Sequence, residues 1–373
     1  MVMCGGLLSS AKREVRKISL HHSDRWDHPG WTSALAQPLP ASARMTMPTA
    51  PMIGVDVGAS MMSAGLVCPD GNVLATAQLP TQGEGRGVDT LLALIDRALA
   101  SAEERRLGVS GIGVGLPGLV DVENGFVRSV PGSWLPELST VPLVALIQER
   151  SGYPVFIDND VNALALGEWM FGPDRGVSSL VTLAIGTGIG GGLILDGRLI
   201  RGHLHSAGEI GHLAVSFTGP ACACGRSGCL SAYLAGGMMA QRARERLHRY
   251  PDSAVLARAG GDPHRIGSAL LFEAASSGDP LACAVIDEAC EALGMGIGAL
   301  VNLLNPEVIV ITGGVATSLA PLRDDILRRA QRRTLPGLLD ATSVRVVPAD
   351  KRATVRGGAA LVLYETARRR PQG

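Results

Sequence analysis

MIGVDV (52–57), SAGLVC (63–68) and VLATAQL (73–79) are apolar runs separated by a Gly-Ala-Ser turn and by Pro69-Asp70-Gly71. Short runs of this kind, bounded by turn residues, read as consecutive antiparallel strands. Outward from them, residues 88–105 place Val88, Leu91, Leu92, Ile95, Ala98 and Leu99 on one helical face. IGVGLP (112–117) is a strand running into a Pro-Gly loop, 142–151 is helical, PVFID (154–158) is a strand and 161–171 a helix. The second half repeats the plan. SLVTLAI (179–185) and GLILDGRLI (192–200) form a strand pair around a glycine cluster, followed by helices near 230–247, 267–277 and 281–304. EVIVIT (307–312) is a strand, 318–333 a helix, SVRVVP (343–348) the last strand and 354–369 a closing helix. Strand–turn–strand openings followed by alternating helices and strands predict two mixed α/β domains with a cleft between them. The expected division is a small N-terminal domain of 52–158 plus 353–373 and a large domain of 159–352.

Composition narrows the function classes. The 373 residues carry 34 Lys plus Arg and 34 Asp plus Glu, a net charge of zero. That balance gives no electrostatic reason to expect nucleic acid or an anionic membrane as partner. A hydrophobic fraction of 46% and mean hydropathy of +0.23 are ample for buried cores, which excludes global disorder. Residues 176–195 carry no charge, but their glycines at 186, 188, 190, 191 and 192 make a poor spanning helix. Lys12, Arg13, Arg16 and Lys17 have the look of a signal n-region, yet no continuous apolar stretch follows, so a cytoplasmic location is expected. Residues 1–51, with Pro29, Pro38, Pro40 and Pro48 and no sustained period, read as a flexible extension or as sequence upstream of a true start at Met45, Met47 or Met52.

Three glycine-bearing loops sit where strands end: Asp56-Val57-Gly58-Ala59-Ser60, Gly186-Thr187-Gly188-Ile189-Gly190-Gly191 and Thr312-Gly313-Gly314-Val315. Each can bring backbone N–H groups against phosphate, and Asp56 can orient a hydrated Mg²⁺. The middle loop satisfies G-x-G-x-x-G but runs into a strand pattern rather than a helix, so a dinucleotide fold is excluded. No GxxxxGK[ST] is present, which excludes a P-loop. In FIDNDVNALALGEW (156–169), Asp158, Asn159 and Asp160 lie where a strand gives way to a helix. Asp160 has the placement of a base that takes a proton from a phosphoryl-accepting hydroxyl, with Asn159 as a neighbouring amide. A plain helix cap explains the same residues equally well. His212, Cys222, Cys224 and Cys229 form H-x9-C-x-C-x4-C, a closed ligand set suited to structural Zn²⁺. Cys4 reads as an incidental tail residue, and Cys68, Cys283 and Cys290 as buried small hydrophobes.

Taken together these segments resemble the ROK family of sugar kinases and repressors, within the two-domain, ribonuclease H-like actin-like ATPase fold. The segments are VDVGAS (55–60), GLPGLVD (115–121), DNDVNALALGE (158–168), IGTGIGGGLI (185–194), AGEIGH (207–212), CACGRSGC (222–229), NPEVIVITGGV (305–315) and RGGAAL (356–361). The resemblance implies an ATP-dependent sugar kinase, most simply a glucokinase, acting as a homodimer. It implies Asp160 as the catalytic base and Asn159, Glu209 and His212 on sugar hydroxyls, His212 also binding zinc. ATP and Mg²⁺ would then be held by Asp56, Gly58, Ser60, Gly186, Thr187, Gly188, Gly313 and Gly314. Some positions depart from the family pattern. Ala59 and Met61 replace a glycine and a lysine of the phosphate loop, and Ser231 stands where a sugar-binding glutamate is usual. Arg128-Ser129-Val130 replaces an Ala-Pro-Asn-like segment. A sugar-sensing repressor and a catalytically weak sugar-binding protein are the alternatives. A repressor needs an N-terminal helix-turn-helix, whereas residues 1–50 are Pro-rich and irregular.

Overall fold

A computed structural model of the chain describes residues 49–81, 87–128 and 135–369. The expected N-terminal extension up to residue 48, and Ser129 with Val130, lie outside these residues. The chain order is β1 (Met52–Val57), β2 (Met61–Val67), β3 (Val73–Pro80), α1 (Gly87–Glu104), β4 (Ile112–Leu116), β5 (Val120–Asp121), β6 (Phe126–Val127) and α2 (Leu143–Ser151). It continues with β7 (Val155–Asn159), α3 (Asp160–Phe171), β8 (Leu180–Ile185), β9 (Ile189–Leu195) and β10 (Arg198–Leu199). Then come α4 (Leu230–Leu234), α5 (Gly236–Arg246), α6 (Val255–Arg258), α7 (Ser268–Ser276) and α8 (Pro280–Leu304). The last elements are β11 (Val308–Thr312), α9 (Gly314–Leu319), α10 (Arg323–Gln331), β12 (Ser343–Val346) and α11 (Lys351–Arg368).

The elements build one plan twice. The first sheet has the order β3-β2-β1-β4-β7 and the second β10-β9-β8-β11-β12. In each, the leading three strands are antiparallel neighbours and the last two join the central strand in parallel. Parallel pairing demands crossovers, which α1 and α2 supply in the first sheet and the helices after β10 in the second. The antiparallel strands came from tight turns, as Pro69-Asp70-Gly71 predicts. Two expected helices are broken. Residues 230–247 split at Ala235, where the Gly236 N–H leaves the helix to bond Gly186 O (2.9 Å). The helix expected at 318–333 starts earlier, at Gly314, and is interrupted at Ala320–Leu322, where Pro321 has no N–H to donate.

α3 and α11 form a shared middle layer. Their core joins Met52 and Val67 of the first sheet to Leu180, Ile194, Val308 and Val310 of the second through Leu166, Val355, Ala359 and Leu363. A helix can lie this close to a sheet only without side chains between them. A Cβ on Gly113 would fall 1.9 Å from Gly358 O, which explains the RGGAAL sequence of α11. The outer faces carry separate cores, with α1 and α2 on the first sheet and α5, α7 and α8 on the second.

One buried ionic network ties the middle layer together. Asp158, at the end of β7, accepts from Arg201 Nε (2.7 Å), and Arg201 Nη2 donates to Glu365 of α11 (2.7 Å). The guanidinium also lies over the Tyr364 ring, 5.6 Å from its centre. Removing one partner of such a pair leaves a buried charge and costs about 3–5 kcal/mol. No described helix is long and apolar enough to cross a membrane. Cys290 is buried as expected, whereas Cys283 is exposed and Cys68 half-buried. Cys283 lies near the start of α8, on the part of that helix turned to solvent.

Candidate functional site

Parallel strands of one sheet deliver their C-terminal ends to one edge, where ligands bind in open α/β folds. β1, β4 and β7 align Asp56, Gly115 and Asp158 in register, so the residues after them share that edge. Asp160 follows as the first residue of α3 and stands over Gly115, with its Cα 3.2 Å from where a Cβ on that glycine would sit. The three acidic-amide residues of 158–160 have separate partners. Asp158 turns inward to Arg201. Asn159 caps α3, its Oδ1 accepting from the N–H groups of Val161 (2.9 Å) and Asn162 (3.2 Å) while its Nδ2 donates to Gly118 O (3.2 Å). Asp160 accepts from the Val161 N–H (3.0 Å). Capping therefore belongs to Asn159.

Burial pushes the Asp160 carboxyl up to about 7, and the nearby charge of Asp56, then that of Glu209, adds to the rise. A like charge nearby disfavours ionisation, so acids on β1 and in the 207–212 segment act on the first residue of α3. Glu209 is exposed and opens a short turn in which the His212 N–H bonds Glu209 O (3.0 Å). Ser231, buried at the start of α4, lies under this turn. A Cβ on Gly211 would come within 2.5 Å of its Oγ.

The loop after β1 is held from two sides. Thr81 just after β3 donates its hydroxyl to Gly58 O (2.6 Å) and its N–H to Ser60 O (3.0 Å). Lys351, the first residue of α11, places Nζ 3.3 Å from Asp56 Oδ2. Across the second sheet, Gly186–Gly188 forms the turn between β8 and β9, closed by the Gly186 N–H on Gly188 O (2.9 Å). Gly313 follows β11 at φ +105°, where a Cβ would strike Ile185 O at 2.4 Å. The turns at 186–188 and 313–314 and the start of α5 thus gather at one end of β8 and β11. Gly190–Gly192 belong to β9 and not to a loop; Gly190 and Gly192 pack on Val161 and Ala165 of α3.

His212, Cys222, Cys224 and Cys229 put their ligand atoms within 4.8 Å of one another. Cys222 Sγ is 3.7 Å from His212 Nδ1 and Cys224 Sγ is 3.8 Å from Cys229 Sγ. A tetrahedron with Zn–S of about 2.3 Å and Zn–N of about 2.05 Å has edges of about 3.6–3.8 Å. The donors fit that ion. A turn closed by the Gly225 N–H on Cys222 O (2.9 Å) and bridges of Ala214 with Cys229 and Ala221 with Ser227 shape the loop.

Residues 52–365 match the description of the ROK family. The chain belongs to the ROK family. It is 33% identical over 320 residues to a glucokinase of Thermotoga maritima, covering 85% of this chain and 98% of that protein. A ROK family glucokinase from Streptomyces griseus, crystallised with glucose and AMPPNP, superposes with a TM-score of 0.68 at 31% identity, covering 83% and 98% of the two chains. A xylose repressor of Caldicellulosiruptor bescii is 32% identical over 277 residues, 74% of this chain but 68% of the repressor. The architecture is the two-domain actin-like ATPase fold of the ROK glucokinases.

Within this ROK chain three features were not read from sequence. Lys351 is 295 residues from Asp56, and no local pattern joins them. Thr81 follows a strand and looks like any turn residue. Gly236 and Gly237 interrupt what reads as one helix; the Gly-Gly pair itself was the available signal.

Proposed function

We propose that this ROK protein is an ATP-dependent hexose kinase of the glucokinase type, with Asp160 as the general base. The observation that carries this reading is the Asp160 carboxyl at the start of α3, raised to about 7 by burial and by the charges of Asp56 and Glu209. A base in that range takes a proton at neutral pH and directs the hydroxyl oxygen for in-line attack. Asp56 would hold Mg²⁺, which neutralises phosphate charge. The 58–60, 186–188 and 313–314 loops, with Gly58, Ser60, Gly186, Thr187, Gly188, Gly313 and Gly314, would take the ATP phosphates and nucleoside.

Glu209, His212, Ser231 and Asn159 would face the sugar. Asn159 has one amide N–H left over from its bond to Gly118, enough to donate to a hydroxyl. Zn²⁺ on His212, Cys222, Cys224 and Cys229 would act structurally, with His212 using Nδ1 for the metal side and Nε2 for the sugar. The protein would work on a small-molecule sugar as a cytoplasmic homodimer, without nucleic-acid or membrane partners. A small lobe of 52–158 plus 353–373 would close on a large lobe of 159–352.

The related glucokinase aligns at 33% identity over 98% of its length, and the related repressor at 32% over 68% of its length. ADP release measured over glucose, mannose, fructose and N-acetylhexosamines tests the reading. Sugar-dependent ADP formation supports it. Sugar binding with no ADP from any of these, together with retention of DNA, would replace it by the regulator.

Ser231 sets a second expectation. Ser231→Glu places a carboxylate beside the Glu209–His212 turn, and a hydrogen bond to a charged acceptor is worth about 1.5–3 kcal/mol. Glucose KM shifts by roughly tenfold or more, downward if glucose is the native substrate and upward if a bulkier hexose is. An unchanged KM for every sugar removes Ser231 from the sugar site.

A further inference from the structure

Of the 34 cationic side chains only three are lysines, Lys12, Lys17 and Lys351, and the other 31 are arginines. Lys351 is therefore the one lysine within the ROK segment of 52–365. It stands where charge is needed. The loop Asp56-Val57-Gly58-Ala59-Ser60-Met61 has no cation of its own, and the charges of Asp56 and Glu209 both act on Asp160. Among the described residues, the ion pair made by these three acids is Lys351–Asp56. A Cβ on Gly58 would lie 3.5 Å from Lys351 Nζ, so the ammonium sits over the phosphate loop itself.

We propose that Lys351 binds the terminal phosphoryl group of the nucleotide and supplies the positive charge of the transfer site. This rests on the assignment of the 58–60 loop to phosphate. Its side chain is 49% exposed, and an exposed pair holds weakly. The ammonium is a compact charge on a flexible stem, free to leave Asp56 for a polyphosphate that offers more negative charge. An arginine would fork onto the Asp56 carboxylate with two parallel bonds and stay there. That difference accounts for a lysine here in a chain that otherwise uses arginine.

The test is equilibrium titration of the full-length protein with AMPPNP and, separately, with AMP, both with Mg²⁺. Lys351→Met lowers AMPPNP affinity roughly ten- to hundredfold, the range for losing a charge-assisted contact, and leaves AMP affinity and sugar KM unchanged. Lys351→Arg keeps the charge but holds it on Asp56, so it recovers no more than a small part of the loss. Equal loss for AMPPNP and AMP with a lowered melting temperature would make the pair a structural tie and overturn the proposal. Gly58→Ala separates the proposal from its premise, because its Cβ would press on Met61 O at 2.7 Å and distort the loop. If Gly58→Ala weakens AMPPNP and Lys351→Met does not, the loop binds phosphate and Lys351 is wrongly assigned. If neither variant weakens it, the loop assignment falls and the proposal with it.

Discussion

Asp160→Asn lowers kcat by about 10²–10⁴-fold, the range for losing a general base, with sugar and ATP KM little changed. The substitution keeps side-chain size and leaves the α3 cap in place, because Asn159 makes the capping bonds. Stability moves in the opposite direction to activity. The folded pKa of about 7 lies above the ordinary carboxylate value, so between those two values the folded state binds the proton that the unfolded state has lost. The stability from this site is present at low pH and is lost as pH rises through about 7. Asp160→Asn therefore melts above wild type at pH 8 and coincides with it near pH 4. A variant that melts above wild type yet turns over normally would show that Asp160 is not the base.

Removing the proposed zinc has the second large effect. His212 belongs both to the turn carrying Glu209 and to the Cys222–Cys229 ligand set, so the ion would pin the sugar turn to the following loop. Cys229 is buried and also pairs its backbone with Ala214, which makes it the ligand whose loss frees the most. Cys229→Ser, or chelation under reducing conditions, lowers zinc from about one per chain to near zero. kcat/KM for the sugar then falls about a hundredfold or more, as a displacement near 1 Å of a positioning group does. Nucleotide affinity changes less, because the turns at 186–188 and 313–314 are held by β8 and β11. Reduced, purified protein with no stoichiometric zinc and full activity would contradict this.

How far the site was legible follows from the range of the signals. The 52–80 strands declare themselves through local alternation and turn chemistry, and α3 through its apolar run. The β5–β6 hairpin has two-residue strands, too short to show a period. The break at Ala235 has a distant cause, the bond from Gly236 to Gly186, 50 residues earlier, and its local trace is the Gly236-Gly237 pair. Asp158 and Asp160 look alike in sequence, and only the third dimension separates them. One residue joins the Arg201 network and the other feels the charges of Asp56 and Glu209. Gly190–Gly192 satisfied a loop pattern for a packing reason, the approach of α3. The Lys351–Asp56 pair joins opposite ends of the chain and leaves no local trace.

The central claim, that burial and the charges of Asp56 and Glu209 hold Asp160 poised as a base, is tested most directly by following its carboxyl carbon in the ligand-free protein. Isotope-edited NMR of wild type against Asp160→Asn identifies the resonance, and its chemical shift is followed from pH 4 to 9. The account predicts a midpoint near 7, moving down when Asp56→Asn removes the more strongly acting of the two neighbouring charges. A midpoint near 4, unmoved by Asp56→Asn, would contradict it.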